Sequence, residues 1–262
     1  MPPSDAQRVI ITGASSGIGA ALARRYAAQG AIVGLIARRE AALQALAAGL
    51  GGGCETYALD VRDGGRLASA AHDFVSRHGC PDIVFANAGV SVGTLTEFTE
   101  DVSAFQEVTD INLVGLVKTF QPFVGPMRDA GKGTLVGIAS VAGYRGLPGA
   151  AAYSASKAAA ISYLESLRVE LRASGVKVIT ICPGYIETPM TERNPYPMPF
   201  LMSAEAAARK IAVIVARGRT YAVIPWQMAL VARMMRVLPN WIYDRLLGSA
   251  TRKPRRGASG EP

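Results

Sequence analysis

Short, almost unbroken apolar runs rich in β-branched residues recur at 9–12, 31–36, 54–59, 82–86, 133–139, 176–181 and 221–224, separated by alanine-rich stretches with helical periodicity. They predict seven strands alternating with helices. Strands that are apolar on both sides need cover on both faces. The runs therefore predict a doubly wound α/β arrangement: a parallel sheet with helices on both faces and right-handed crossovers. Gly30 and Gly175 close helical stretches just ahead of strands, where a left-handed residue is expected. No linker rich in small residues and no internal repeat interrupts the pattern. Residues 1–225 are expected to form the α/β unit, with 226–262 as a C-terminal extension of the same domain.

A chain of 262 residues is long enough to bury a large core. Its formal charge of +8 is uneven: residues 226–262 hold seven Arg or Lys against two acids, a balance of +5, leaving +3 for the rest. No base-reading motif accompanies this basic end, so no nucleic-acid partner is expected. A solvated tail and a tail facing anionic lipid both remain open. Cys54, Cys80 and Cys182 are odd in number and lack ligand spacing, which predicts reduced thiols and no metal site. The opening residues MPPSDAQR have neither a basic start nor an apolar run, and a cytoplasmic location is expected. His72 and His78 sit in no motif and are expected on a solvated helix face.

The first predicted strand runs into Thr12-Gly13-Ala14-Ser15-Ser16-Gly17-Ile18-Gly19 and then a helix. Glycines at 13, 17 and 19 let a phosphate approach backbone N–H groups at that helix N-terminus. Folds that bind NAD usually carry an acid at the end of the second strand, for the ribose 2′-hydroxyl. Here Ala37 occupies that place, and Arg38 and Arg39 follow. Guanidinium groups suit a 2′-phosphate, so NADP(H) is expected over NAD(H), with Glu40 on the ribose as the competing arrangement. Further along, Tyr153 and Lys157 stand four residues apart, thirteen and seventeen residues after Ser140. On a helix the phenol and the ammonium would share one face. A cation about 4 Å from a phenol, at an effective dielectric near 20, contributes on the order of 4 kcal/mol toward releasing its proton.

With these residues the sequence resembles the classical short-chain dehydrogenases/reductases from residue 9 to about residue 224. The likeness is carried by Thr12 to Gly19, Asn87-Ala88-Gly89, Asn112, Ser140, Tyr153 with Lys157, and Pro183-Gly184 with Thr188, in the family's order and at its approximate spacings. The resemblance implies a Rossmann-type fold. It implies Tyr153 as catalytic acid/base, Ser140 orienting a carbonyl, Lys157 on the nicotinamide ribose and Asn112 holding a relay water. It also places Ser15, Ser16, Ile18, Asp60, Val61, Asn87, Ala88, Gly89, Pro183, Gly184, Ile186 and Thr188 around the cofactor, and it implies a homo-oligomer, dimer or tetramer, built on the helices bearing Asn112 and Tyr153.

Four prolines and three methionines between Pro189 and Met202 argue against regular structure there, and residues 184–202 are expected to form an apolar lid over the substrate. Plotted as a helix, 226–238 sets Arg233, Arg236 and Asn240 opposite Leu230, Val231, Met234, Met235 and Leu238. Its charges and the flanking Pro225 and Pro239 exclude a spanning helix. It is expected to cap the active-site mouth, join an oligomer interface or lie in a membrane interface with Arg252, Lys253, Arg255 and Arg256 on headgroups. The expected activity is hydride transfer between NADP(H) and an apolar, lipid- or steroid-like ketone or secondary alcohol. Small keto-acyl or sugar substrates and a non-catalytic NADP-binding sensor are the alternatives.

Overall fold

A computed structural model describes residues 6–192, 194–249 and 251–255. In chain order the elements are β1 (Arg8–Thr12), α1 (Gly17–Ala27), β2 (Ile32–Ala37), α2 (Glu40–Ala48), β3 (Cys54–Ala58), α3 (Gly64–His78), β4 (Ile83–Ala86) and α4 (Asp101–Thr109). A π-helical turn (Asp110–Val114) leads into α5 (Gly115–Asp129), then β5 (Gly133–Ile138), α6 (Ala151–Glu170), β6 (Val176–Pro183), α7 (Ala204–Ala216), β7 (Tyr221–Ile224), α8 (Trp226–Val237) and α9 (Asn240–Leu247). The strands form one sheet in the order β3-β2-β1-β4-β5-β6-β7, and every pairing is parallel.

Alternation along each strand feeds two cores. Ile11, Leu35, Phe85 and Val136 pack with Leu22 and Tyr26 of α1, Leu43 of α2 and Ile211 of α7. Ile10, Ile36, Val84 and Leu135 meet Phe74 of α3, Phe120 and Phe123 of α5 and Leu164 of α6. All six residues of β2 are buried, as an interior parallel strand requires. Gly30 and Gly175 take φ of +79° and +77° as expected. The predicted strands are met to within one or two residues. Asp82 drops out of β4, and its carboxylate instead receives Arg8 Nε at 3.2 Å.

The C-terminal region departs from its expected face. Helix α8 buries Met228 and Ala232 against Val141, with Tyr144, Tyr185 and Val231 around them, while Leu230 and Met234 are 52% and 63% exposed. The predicted apolar side is thus split: Val231 joins the cluster on the turn after Ser140, while Leu230 and Met234 stay in solvent. Arg236 donates to the Tyr144 carbonyl at 3.0 Å. Arg145 donates to the Leu238 carbonyl at 2.6 Å and to Asn240 Oδ1 at 2.8 Å. Its guanidinium lies 3.8 Å from the Tyr243 ring centre.

Two basic residues assigned from the sequence to solvent or to headgroups turn inward instead. Arg255 pairs with Asp101 at 2.7 Å and with Glu100 at 3.0 Å, and Lys253 donates to Ser91 Oγ at 2.9 Å. Arg256 lies outside the described residues. His78 is also not a solvated residue: its Nε2 is 2.9 Å from Glu55 Oε1 and its ring packs on Phe74. Among the described residues no helix is long and apolar enough to cross a membrane, and no group of three metal-ligating side chains occurs.

Candidate active site

The sheet order reverses direction of growth between β1 and β4, and a crevice of about 640 Å³ opens at the carboxyl ends of these strands. This is the point at which doubly wound sheets bind ligands. Of the residues given a catalytic or cofactor role by the family resemblance, all but Gly19 and Asn112 line it.

At its floor, Thr12 Oγ1 donates to the Phe85 carbonyl at 3.2 Å and accepts from the amides of Asn87 and Ala88 at 3.1 and 3.2 Å. Asn87 Nδ2 returns a bond to the Thr12 carbonyl at 3.0 Å. These bonds clamp the loop after β4 to the glycine turn. A Cβ on Gly19 would lie 2.3 Å from the Gly13 carbonyl oxygen, and one on Gly17, whose φ is +54°, would lie 2.8 Å from Thr188 Cγ2. Gly19 therefore shapes the turn from behind without facing the crevice. The N-terminus of α1 receives no side-chain cap and has no acid in its first turn, whereas Asp63 and Ser203 cap α3 and α7. The first amides of α1 are left for an anion at the crevice, which fits a dinucleotide pyrophosphate.

The outer end carries Arg38 and Arg39, and Glu40 is not part of the lining. Arg39 donates to Ser15 Oγ at 3.0 Å, bridging the second strand to the glycine turn. Asp60 is held by Arg62 at 2.7 Å, with Arg38 at 4.0 Å. The Arg62 hydrogen bond keeps its carboxyl below the usual range.

At the inner end stand Ser140, Tyr153 and Lys157. Ser140 caps a short 3₁₀ turn, accepting from the Ala142 amide at 3.1 Å and donating to the Pro183 carbonyl at 3.5 Å. Lys157 is 3% exposed, and its Nζ donates to the Ile138 carbonyl at 2.8 Å. The ammonium lies 5.8 Å from the Tyr153 ring centre. Burial pushes the Tyr153 hydroxyl above its ordinary value, and the Ser140 hydroxyl offsets this in part. Burial also brings Lys157 down to about 8. These directions describe the protein's own groups alone, whereas the acidification expected from the sequence joins the Lys157 charge to that of an oxidised nicotinamide.

Asn112 sits in the π-helical turn and is 1% exposed. Its Oδ1 accepts from the Val90 amide at 2.8 Å, and its Nδ2 donates to the Val90 carbonyl at 2.9 Å and to Ser156 Oγ at 3.0 Å. It ties the loop after β4 to α6. Sequence reading missed the cross-linking roles of Thr12 and Ser156 and the places of Ser91 and Val92 in the crevice wall, whereas Pro189, Met190 and Thr191 fall within the segment expected as a lid. A polar residue at the last position of an apolar strand was the available signal for Thr12. The others carry no local signature.

The model of the family described as short chain dehydrogenase matches residues 7–197. An uncharacterized oxidoreductase of Myxococcus xanthus is 39% identical over 238 residues, spanning 90% of this chain and 94% of that protein. The 2-dehydro-3-deoxy-L-rhamnonate dehydrogenase (NAD(+)) of a Sphingomonas species is 39% identical over 186 residues, 71% of this chain and 74% of its own length. The crystal structure of a short-chain dehydrogenase from Streptomyces avermitilis superposes with a TM-score of 0.78 at 28% identity, covering 93% of this chain and 98% of the other.

The Lys157 shift sets a pH dependence of stability. Between about 8 and the ordinary 10.5 the unfolded chain keeps the proton that the folded chain has lost, so stability rises with pH across that window, and below it this group's burial penalty is constant. The urea midpoint of the wild type, measured relative to Lys157→Met, is expected to climb from pH 8 to 10.5. Parallel profiles for the two proteins would contradict the assignment.

Proposed function

The chain belongs to the short-chain dehydrogenase family, and on that premise we propose that it is an NADPH-dependent carbonyl reductase, running in reverse as an alcohol dehydrogenase, of an apolar or amphipathic ketone. One observation carries this reading. Ser140, Tyr153 and the buried Lys157 stand at the inner end of the same crevice whose outer end is lined by Arg38 and Arg39.

A nicotinamide dinucleotide, when bound, supplies or accepts the hydride. The amides after Gly13 and at the start of α1 would hold its pyrophosphate, Asp60 and Val61 would border its adenine, and Asn87 to Gly89 would lie beside it. Ala37 presents no carboxylate, and Arg38, Arg39 and Ser15 offer donors to a 2′-phosphate. The NAD(+)-linked Sphingomonas relative makes NAD(H) the rival. Lys157, fixed on the Ile138 carbonyl, would bind the nicotinamide ribose. Ser140 donates a hydrogen bond to the substrate carbonyl oxygen, where negative charge develops. Tyr153, kept protonated by burial, gives its proton to that oxygen during reduction. Asn112 holds the loop bearing Val90 and is the position from which a relay water would reach Lys157.

Ile186, Pro189 and Met190 line the crevice beside this centre. Adaptable apolar side chains suit an aliphatic ketone. The 184–202 segment contains no helix or strand among its described residues, in keeping with a lid. The exposed stripe Trp226, Leu230, Met234, Val237 and Trp241, next to the basic Arg233 and Arg245, supports peripheral contact with an anionic lipid surface. Val102, Phe105 and Val169 are exposed on α4 and α6 and support a homo-oligomer built on that face.

Tyr153→Phe is expected to lower kcat by about 10²- to 10⁴-fold while NADPH affinity, followed by fluorescence titration, stays unchanged; retained turnover removes the assigned acid. For the cofactor, Arg39→Ala is expected to raise the KM for NADPH on the order of tenfold and to leave that for NADH alone. A wild type that prefers NADH reverses this reading. In sedimentation with phosphatidylglycerol vesicles, wild-type protein is expected to pellet and a Trp226→Ala/Trp241→Ala variant to stay in solution. Wild type that never pellets assigns the stripe to a protein interface instead.

A further inference from the structure

After α9 the chain turns back and residues 251–255 lie as a strap across the two loops that flank Tyr153. One is the loop from Gly89 to Leu95. The other approaches α6 through Gly149. The strap is anchored by backbone and by charge. Gly93 N donates to the Pro254 carbonyl at 3.0 Å. Arg255 grips Asp101, which is 4% exposed, and its guanidinium stacks 3.4 Å above the Phe98 ring centre. Both loops are shaped to receive it. A Cβ on Gly93 would stand 2.2 Å from the Lys253 carbonyl oxygen, and one on Gly149, at φ +73°, would stand 2.8 Å from Arg252 Cβ.

Between these anchors the half-buried Lys253 brings its ammonium to Ser91, 2.9 Å from Oγ. Ser91 lines the same crevice as Ser140 and Tyr153, and Lys253, itself outside the lining, reaches the crevice wall through this hydroxyl. That hydroxyl is its only hydrogen-bond partner among the described residues, and the two neighbouring carboxylates, Glu100 and Asp101, are engaged by Arg255. A partly desolvated cation without a counter-ion is unfavourable, and an anion brought by a ligand relieves it. Burial holds the Lys253 ammonium below its ordinary value, as such a position requires.

We propose that Lys253 is a substrate-specificity residue that pairs with an anionic head group on the ketone, and that the 251–255 strap is the positioning wall that carries it. This rests on the reductase reading above and narrows it. The substrate class becomes an amphipathic keto acid, with its carbonyl at Ser140 and Tyr153, its aliphatic part along Ile186 and Met190, and its carboxylate or phosphate toward Lys253.

The test uses a chain-length series of straight-chain oxo carboxylates, each with its methyl ester, and the full-length enzyme with NADPH. Wild type is expected to prefer acid over ester in kcat/KM on the order of tenfold. Lys253→Met should erase that ratio mainly through KM, Lys253→Arg should keep part of it, and Arg255→Ala should mimic Lys253→Met by releasing the strap. Calorimetric titration of the oxo carboxylate into the NADPH-saturated proteins gives a readout independent of turnover, with binding weakened on the order of tenfold in Lys253→Met. Equal acid-to-ester ratios in wild type and Lys253→Met, or equal calorimetric affinities, overturn the proposal. Absence of turnover with the calorimetric contrast intact overturns only the reductase reading.

Discussion

A lysine ammonium buried to 3% exposure, without a carboxylate in ion-pairing range among the described residues, is the constraint around which the site is arranged. Lys157 is tolerated there because the Ile138 carbonyl, at the last residue of β5, accepts from it at 2.8 Å. That acceptor lies at the carboxyl edge of the sheet, one residue beyond Gly137, the last β5 position paired with β4. Two residues further on comes Ser140, and one helical turn before Lys157 comes Tyr153. A single bond between a strand end and a helix therefore sets the spacing of all three groups. Burial lowers the Lys157 ammonium and raises the Tyr153 phenol from their ordinary values.

The walls of the crevice are loops, and loops keep their positions here through polar cross-links to rigid elements. Thr12 at the end of β1 holds the loop after β4. Asn112 reaches the same loop from the π-helical turn and continues to Ser156, 44 residues away on α6. A π turn widens the helix locally and redirects one side chain, which is why such turns gather at functional sites. Lys253 adds a third tie to this loop from 162 residues downstream. The mouth of the crevice thus depends on the far end of the chain. The C-terminal extension is part of the site's architecture, with α8 packed behind the Ser140 turn and the strap beside Ser91.

Much of the fold and the inner site was legible in the sequence. The strand runs, the helix-closing Gly30 and Gly175 and the glycine turn all express short-range requirements: burial on two faces, a left-handed backbone, or room for an approaching group. Tyr153 and Lys157 were legible because helical spacing alone puts them on one face. Residues with ordinary neighbours were not. Ser91 and Ser156 look like any surface serine, and Asp101 gives no hint that it will be buried under an arginine.

By itself the sequence determined which segments become strands, that the sheet is parallel and covered on both faces, and where the glycine turn leaves backbone open at the crevice, since periodicity and missing side chains act over a few residues. Tertiary structure decided the direction of the Tyr153 shift, which stripe of α8 is buried, and that Lys253 and Arg255 face inward. The physical reason is range. Desolvation and ion pairing depend on what the completed chain brings within a few ångströms, and no local pattern encodes a contact such as Arg255 with Asp101, formed across 154 residues.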